Sequence, residues 1–391
     1  MKNEQKQLPK GWEVKKLGEI CENLDSKRIP ITQNKRTKGE IPYYGASGVV
    51  DYVSDYIFDE KLLCVSEDGA NLLARTYPIA FTISGKTWVN NHAHVLRFNS
   101  FVTQKFTEAY LNSIRLDDYI SGMAQPKLNQ AMLNKIPIPI PQLPEQQRIV
   151  SILDEAFEAI DKAKVNAEQN LKNAKELFES YLQGVFEKKG EGWEERKLEE
   201  LADEKCTLSY GIVQPGEEFE NGLPIIRPTD LTSRYIKIEG LKRIDPKLAE
   251  GYKRTKLIGD ELLLCVRGTT GIVSIATPEL KDSNVTRGIV PIRFNSKLIN
   301  QDFGYYLLIS NYVQKQIRSK TYGAALMQIN IGDLRKILTP FPTLNEQQSI
   351  VNQLDALRME TQKLEAIYRK KIADLEELKK SLLQKAFSGE L

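Results

Sequence analysis

Few residues in this 391-residue chain are placed to do chemistry. Its two histidines, His92 and His94, stand in "NNHAHV". Alternate residues of a strand share a face, so the pair could grip a metal or move a proton. No Asp, Glu or Cys stands at ligand spacing beside them, so no metal is expected and a structural or DNA-contacting role is. Cys21, Cys64, Cys206 and Cys265 are widely separated, form no CxxC pair, and read as reduced, buried thiols. "VRGTTGIV" (Val266 to Val273) is glycine-rich but lacks the lysine that reaches a bound phosphate, so it reads as a tight turn after a strand. The dinucleotide, phosphate-loop, zinc-protease and serine-elbow patterns are missing, as is the Asn-Pro-Pro-aromatic motif of amino-methyltransferases. No catalytic residue is therefore assigned: the chain reads as one that holds things.

The elements that would position such residues come from a chain too long for one ordinary domain. It is 41% hydrophobic and 27% charged, and no apolar run approaches the roughly 18 residues of a membrane span. Its start, "MKNEQKQLPKGWE", lacks the apolar stretch of a secretory signal, so a cytoplasmic location and no membrane partner are expected. The net charge of +3 is too small to argue for nucleic acid by itself.

The chain is one unit written twice. "LPEQQRIVSILD" from Leu143 returns as "LNEQQSIVNQLD" from Leu344, 201 positions on. "SYLQGVF" (Ser180 to Phe186) returns as "SLLQKAF" (Ser381 to Phe387), and "LLCV" at Leu62 returns at Leu263, both at that offset. "GMAQPKLNQAMLNKI" from Gly122 lies over "GAALMQINIGDLRKI" from Gly323. The unit starts, "GWEVKKLGEI" at Gly11 and "GWEERKLEEL" at Gly192, differ by only 181, so the second copy holds about twenty extra residues before its LLCV strand. Each copy opens with short β-rich runs broken by turns, and a helical piece at Thr103 to Tyr119 sits among those of the first. "IPIPIPQLP" and "ILTPFPTLN" cannot be helix interior and read as extended connectors.

A long helix follows each connector. Asn345 suits an N-cap with Gln348 completing a capping box, and Pro144 suits a first helical turn. Apolar or small residues at spacings of four and three trace a seam through Ile149, Leu153, Ala156, Ile160, Ala163, Ala167, Ala174, Leu177 and Tyr181, and through Ile350, Leu354, Leu357, Thr361, Leu364, Tyr368, Leu375, Leu378 and Leu382. Such a seam indicates coiled-coil packing, and the partner available is the helix's own repeat. At one seam site either Asn170 and Lys371 face inward as polar register keys, or Leu171 and Ile372 carry the contact. Antiparallel pairing would give an internal pseudo-two-fold repeat with two unlike heads, suited to a bipartite target.

These repeated helix starts, the GWE domain starts and the "LLQKAFSGEL" ending resemble the specificity subunit of type I restriction-modification systems. The resemblance covers essentially the whole chain. It implies an α+β fold: two β-rich α/β target recognition domains, residues 1–142 and 190–342, joined by two long α-helices, 143–189 and 343–391, in an antiparallel coiled coil. It implies double-stranded DNA as ligand, two DNA adenine methyltransferase subunits on the helices, and restriction/translocase subunits on that core. No cofactor is expected in this chain, because methyl donor and ATP would be held by those partners. Each domain would read a few base pairs while the helices fix the spacer.

Given that resemblance, DNA-contacting candidates are polar loop residues. "DSKRIPITQNKRTKGE" offers Lys27, Arg28, Lys35 and Arg36, as a phosphate-contacting loop or a solvated charge run. The stretch after the first LLCV strand offers Ser66, Asn71 and Arg75, and "SGKTWVNNHAH" offers Lys86, Asn90, Asn91 and His92, with Trp88 read as core before base contact. Gln125 and Lys127 follow. The second domain offers Ser209, Tyr210, Gln214, Arg227, Thr229, Arg267, Thr269, Thr270, Arg287 and Gln328. The loop after LLCV, polar in both copies, ranks first. A cytoplasmic coiled-coil adaptor that binds proteins instead of DNA is the alternative.

Overall fold

A computed structural model describes residues 9–122, 124–323 and 326–391. The first eight residues, part of the start on which the location was argued, and Met123, Ala324 and Ala325 of the aligned stretches lie outside the described residues. The chain forms two compact units, Met1–Glu168 with Arg369–Leu391, and Gln169–Tyr368.

The first unit opens with β1 (Glu13–Lys16) and α1 (Leu17–Ile20). Then come β2 (Glu22–Asn23), β3 (Lys38–Gly45), β4 (Gly48–Val53), β5 (Phe58–Asp59), β6 (Leu62–Ser66) and α2 (Asn71–Ala74). They continue into β7 (Ala80–Ile83), β8 (Lys86–Val89), β9 (Ala93–Arg97), α3 (Phe101–Ser113), α4 (Gln130–Leu133), β10 (Pro137–Ile140) and α5 (Leu143–Lys188). Two four-stranded sheets result, ordered β2-β9-β6-β7 and β4-β3-β8-β5. Strand β6 is the LLCV run, buried at every residue. Its side chains alternate, Leu63 and Val65 packing with Leu17, Leu111 and Ile136, and Leu62 and Cys64 with Phe58 and Val89. A strand covered on both faces reads as a continuous apolar run.

The proline-rich stretch is a strand rather than a free connector: β10 pairs antiparallel with β1, Glu13 opposite Ile140. Prolines are tolerated because a two-stranded ribbon has only edges. Helix α3 ends earlier than the sequence predicts, at Ser113, and Asp117–Tyr119 is a separate 3₁₀ turn. The Arg75 guanidinium donates to the carbonyls of Leu111 and Ile114 and so terminates the helix.

The second unit repeats this plan with β11 (Glu194–Lys197), α6 (Leu198–Leu201), β12 (Leu223–Ile226), β13 (Tyr235–Ile236), β14 (Lys242–Ile244) and β15 (Leu262–Cys265). They lead to β16 (Val273–Ala276), β17 (Asn284–Val285), β18 (Ile289–Ile292), α7 (Gln301–Ile309) and α8 (Asn311–Ser319). Last come β19 (Thr321–Tyr322), β20 (Gln328–Ile329), α9 (Ile331–Arg335), β21 (Leu338–Phe341) and α10 (Leu344–Ser388). β15, the second LLCV strand, lies in the sheet β13-β16-β15-β18, and β11 pairs with β21 as β1 does with β10.

Within the first unit, the start of α5 packs antiparallel to the end of α10. Lys164 reaches Glu376 at 2.8 Å and Lys379 reaches Asp161 at 3.0 Å, while Ile149, Leu153 and Ala386 share a core with Phe106. Within the second, the Tyr181 hydroxyl donates to Gln353 Oε1 at 2.6 Å, and Leu182 and Phe186 share a core with Ile350, Val351 and Leu354. Ile149, Leu153, Ile160, Ile350 and Leu354 are buried as the seam predicts, and Leu357, Leu375 and Leu382 are half-buried. Leu177, Tyr181, Leu364 and Leu378 are instead exposed. The buried stripe passes through Ala167 and Ala174 to Leu182 and Phe186. An α-helix drifts about 20° per heptad from a strict 3.5 repeat, so after several heptads the next residue takes the inner position. Asn170 and Lys371 face solvent, and Leu171 and Ile372 are half-buried, which favours the second of the two readings of that site.

The EQQ motif starts each helix through its first glutamine. Gln347, fully buried, donates from Nε2 to the carbonyls of Leu298 and Pro342, each at 2.8 Å, and accepts from the Asn300 N–H at 2.8 Å. Gln146 does the same in the first unit, donating to the Pro141 carbonyl and accepting from the Thr103 hydroxyl, both at 2.8 Å. The cap of α10 is Thr343, whose Oγ1 accepts from the Glu346 N–H at 3.5 Å. Asn345 lies inside the helix, and Gln348 bonds Asn300 and Asn352. Gln347→Ala strands two carbonyls and an N–H in the interior. It is expected to cost about 2–3 kcal/mol in urea unfolding, against less than about 0.5 kcal/mol for Gln348→Ala. Equal costs would refute the buttress.

Candidate nucleic-acid interface

In both units a polar cluster gathers where the central strand ends. In the first, the backbone of Asp68, just past β6, bridges that of Lys127, and the Gly69 N–H donates to the Pro126 carbonyl. His92 Nδ1 lies 2.7 Å from Asp68 Oδ2 and Lys127 Nζ lies 3.2 Å from Glu67 Oε1, so Gln125, Lys127, Asn91 and His92 meet around one loop, all exposed. In the second, the backbone of Arg267, just past β15, bridges that of Gln328, the position 201 beyond Lys127. The Val266 N–H donates to Gly288 and the Ile329 N–H to Val266, which brings Arg267, Thr269, Arg287 and Gln328 together. Thr269 and Arg287 are exposed, while Thr270, Arg267 and Gln328 are half-buried.

Other expected contacts are parts of the fold. Ser66 is buried and donates to the Ala46 carbonyl at 2.5 Å. Asn71 is buried, donating to the Tyr77 carbonyl and accepting from Thr76, and Arg75 is spent on α3. Asn90 is buried and accepts from the His92 N–H. Tyr210 donates to the Ile329 carbonyl and accepts from the Ile331 N–H, each at 3.2 Å. Each of these side chains turns inward because a buried backbone group needs a partner.

The basic stretch from Asp25 divides in the same way. Lys27 and Lys35 are exposed on 3₁₀ turns. Arg28 binds Glu67 and the Ala93 carbonyl at 2.7 Å, and Arg36 binds Asp51 at 2.8 Å while covering the Tyr43 ring. Lys86 is exposed over Tyr56, and Trp88 is half-buried, donating to the Ile29 carbonyl. In the second unit Gln214 and Thr229 are exposed, Arg227 is paired with Asp230 at 2.9 Å, and Ser209 lies 3.3 Å from Thr207.

His94 does have acidic company, contrary to the spacing argument: Asp25 and Glu67 approach it from distant segments. The three are already spoken for. His94 Nδ1 lies 2.5 Å from Asp25, its Nε2 lies 2.7 Å from the Leu128 carbonyl, and Arg28 joins both carboxylates. With both ring nitrogens bonded, the cluster is an ion-pair network under the loop and a poor metal cage. Burial opposes ionisation of Asp25, but the hydrogen bond and charge of His94, the Val95 N–H and Arg28 hold its carboxyl below the usual range. A carboxyl lowered by folding stabilises above its unfolded value, near pH 4, and that contribution is lost as pH falls through the lower folded value. Asp25→Asn is therefore expected to flatten the fall in stability below about pH 4, measured by urea melts at stepped pH; an unchanged slope would contradict it.

Burial pushes Cys21 up to about 12 and raises Cys64, Cys206 and Cys265 as well, and all four are free thiols. The selection of cations and amides missed Glu67 and Asp68, which organise the first loop; the signal was their place directly after the strand in "SEDGA". Among the described residues, no helix is long and apolar enough to cross a membrane.

Residues 9–172 and 190–374 each match the family described as type I restriction modification DNA specificity domain. A Haemophilus influenzae chain described as a type I restriction enzyme specificity subunit is 38% identical over 159 residues, 39% of this chain and 41% of its own length. The EcoBI specificity subunit of Escherichia coli is 26% identical over 72% of this chain and 64% of its own. The MjaVIII specificity subunit of Methanocaldococcus jannaschii is 24% identical over 98% of this chain and 94% of its own. The fold is like that of the HsdS subunit from Thermoanaerobacter tengcongensis, with a TM-score of 0.61 at 20% identity over all of both chains. It is also like that of a chain in a structure concerned with assembly of the type I R-M system, with a TM-score of 0.71 at 20% identity over 98% of this chain and all of that one. With both halves matched by one family and the fold shared with solved members of such systems, the chain belongs to the type I restriction-modification DNA specificity family.

Proposed function

We propose that this chain is the non-catalytic specificity subunit of a type I restriction-modification complex, each recognition domain reading one half of an asymmetric bipartite site in double-stranded DNA. The paired helices set the spacer and dock two DNA adenine methyltransferase subunits, and the restriction/translocase subunits join that core. Methyl donor and ATP belong to those partners. The observation that carries this reading is the polar loop cluster at the end of β6 and again at the end of β15, on matched frameworks with different side chains. Matched frameworks serve two half-sites, and unlike loops give them different sequences.

Methylation-sensitive sequencing of DNA from cells with and without the chain tests it. A bipartite adenine-methylated motif is expected only when the chain is present, and an unchanged methylation map would overturn the reading. Sequence-indifferent DNA binding by the purified complex would instead favour a protein-binding adaptor.

A four-residue insertion in α5 lengthens that helix by about 6 Å. At about 3.4 Å per base pair, the spacer is expected to grow by up to about two base pairs while both half-sites stay the same. An unaltered spacer in the mapped motif would remove the helices from that role.

A further inference from the structure

The second recognition domain holds a basic cavity of about 370 Å³. It lies beside Glu261, at the start of β15, whereas the polar loop cluster follows the end of that strand; four residues of strand separate the two by roughly 13 Å. Five cations line it, Lys205, Lys253, Arg254, Lys256 and Arg293, against two carboxylates. Both carboxylates are already neutralised. Glu261, 1% exposed, takes Arg293 at 2.5 Å and the backbone N–H groups of Ile258, Gly259 and Asp260, and Asp282 takes Lys256 at 2.8 Å. Lys205, Lys253 and Arg254 have no acidic partner among the described residues, and Arg293 Nε is buried without a hydrogen-bond partner. Asp260 is the nearest other carboxylate, 3.6 Å from that Nε.

The first domain has a like pair at the same strand start. Glu60, 201 positions before Glu261, binds Arg97 at 2.8 and 2.5 Å, and a second carboxylate, Glu22, takes Arg97 at 2.8 Å. In the second domain Asp203 stands at the place of Glu22, and Lys205, Lys253 and Arg254 add three cations beside the pair. Lys253, Arg254 and Lys256 belong to the 3₁₀ segment Pro246–Thr255 and the residue after it, within the stretch that makes this copy longer before its LLCV strand.

We propose that this cavity binds a phosphate group, through the planar fork of Arg254 and the point charges of Lys205 and Lys253. The size suits a phosphorylated small molecule. A backbone phosphate of DNA lying outside the bases that are read offers the same chemistry, and the experiment separates the two.

The full chain, with partner subunits where it purifies with them, is titrated with pyrophosphate by calorimetry at low salt. Binding to a non-specific duplex is followed across salt concentrations. The variant Lys253→Gln with Arg254→Gln is compared with Lys237→Gln with Lys297→Gln, which removes the same charge from exposed positions elsewhere in the unit. Loss of pyrophosphate affinity by tenfold or more in the first pair, with less than twofold change in the second, supports the site and a small-molecule ligand. A fall of about one to two in the salt slope for duplex binding in the first pair alone supports the site with DNA as the phosphate source. Equal effects from the two pairs, or no effect in either assay, overturn it. Pyrophosphate binding does not rest on the specificity reading, so absence of a methylated motif and absence of an anion site are separate failures.

Discussion

Phe186→Ala is expected to lower the unfolding free energy in urea by about 3–5 kcal/mol, the range for truncating a buried phenylalanine. Phe186 is fully buried, its ring 6.0 Å from Trp193 and 5.5 Å from Phe303, in the core that also takes Ile350, Val351 and Leu354 from α10. The site is built from the repeated motifs: Trp193 is the tryptophan of the second GWE, and Phe186 ends the first "LQGVF". The first unit assembles the same trio from Trp12, Phe106 and Phe387. Helix, domain start and α7 all close on this ring, so little can collapse into the space it leaves. Leu177→Ala is the contrast. It lies on the seam the heptads predict, but it is 51% exposed, and its loss is expected to cost about 0.5 kcal/mol or less. Comparable costs for the two substitutions would mean that the helix face has been misassigned.

The scaffold was legible because its constraints are local and written twice. An apolar run bounded by turns became β6 and β15, prolines marked the helix starts, and the offset of 201 held from strand to helix end. What the motifs do was less legible. The glutamine that matters in EQQ is chosen by carbonyls of a preceding loop, Leu298 and Pro342, which no helix-capping pattern names. A heptad template followed the helix for about seven turns beyond Ile149, to Ala174, and then slipped by one residue.

The site was legible by place and poorly by residue. The loop after LLCV is a shared position, because β6 and β15 both deliver a polar turn there. Within it, Ser66, Asn71 and Asn90 turn inward to backbone groups from segments far along the chain. A polar side chain in a loop is either a surface group or the partner of a buried amide, and only the tertiary structure distinguishes them. The carboxylates of Asp25 and Glu67 likewise reach His94 across long sequence separations.

Arg234→Ala should cost about 3 kcal/mol. The guanidinium binds Asp355 through Nη1 at 2.5 Å and Asp302 through Nη2 at 2.7 Å, and it lies 4.8 to 5.2 Å from the ring centroids of Tyr235, Tyr305 and Tyr306. Burial, and then the hydrogen bond it donates to Asp355, raises the Tyr306 hydroxyl above its ordinary value, so it stays a neutral donor to that carboxylate. Breaking a buried ion pair costs about 3–5 kcal/mol. The lower end applies because Asp302 and Asp355 keep 44% and 43% of their side-chain surface exposed. Arg234→Lys keeps the charge but loses the planar fork and its stacking, so it should recover less than half of the loss. The first unit supplies the control: Asp154, 201 positions before Asp355, pairs among the described residues only with Lys105, at 3.8 Å, and is 59% exposed. Asp154→Asn should therefore change stability by no more than about 0.5 kcal/mol. If Arg234→Ala proved equally mild, the arginine would be a surface residue beside the tyrosines. A loss near 3 kcal/mol, recovered only in part by lysine, would make it the clamp between the second recognition domain and α10, a contact that the duplicated framework permits but does not itself encode.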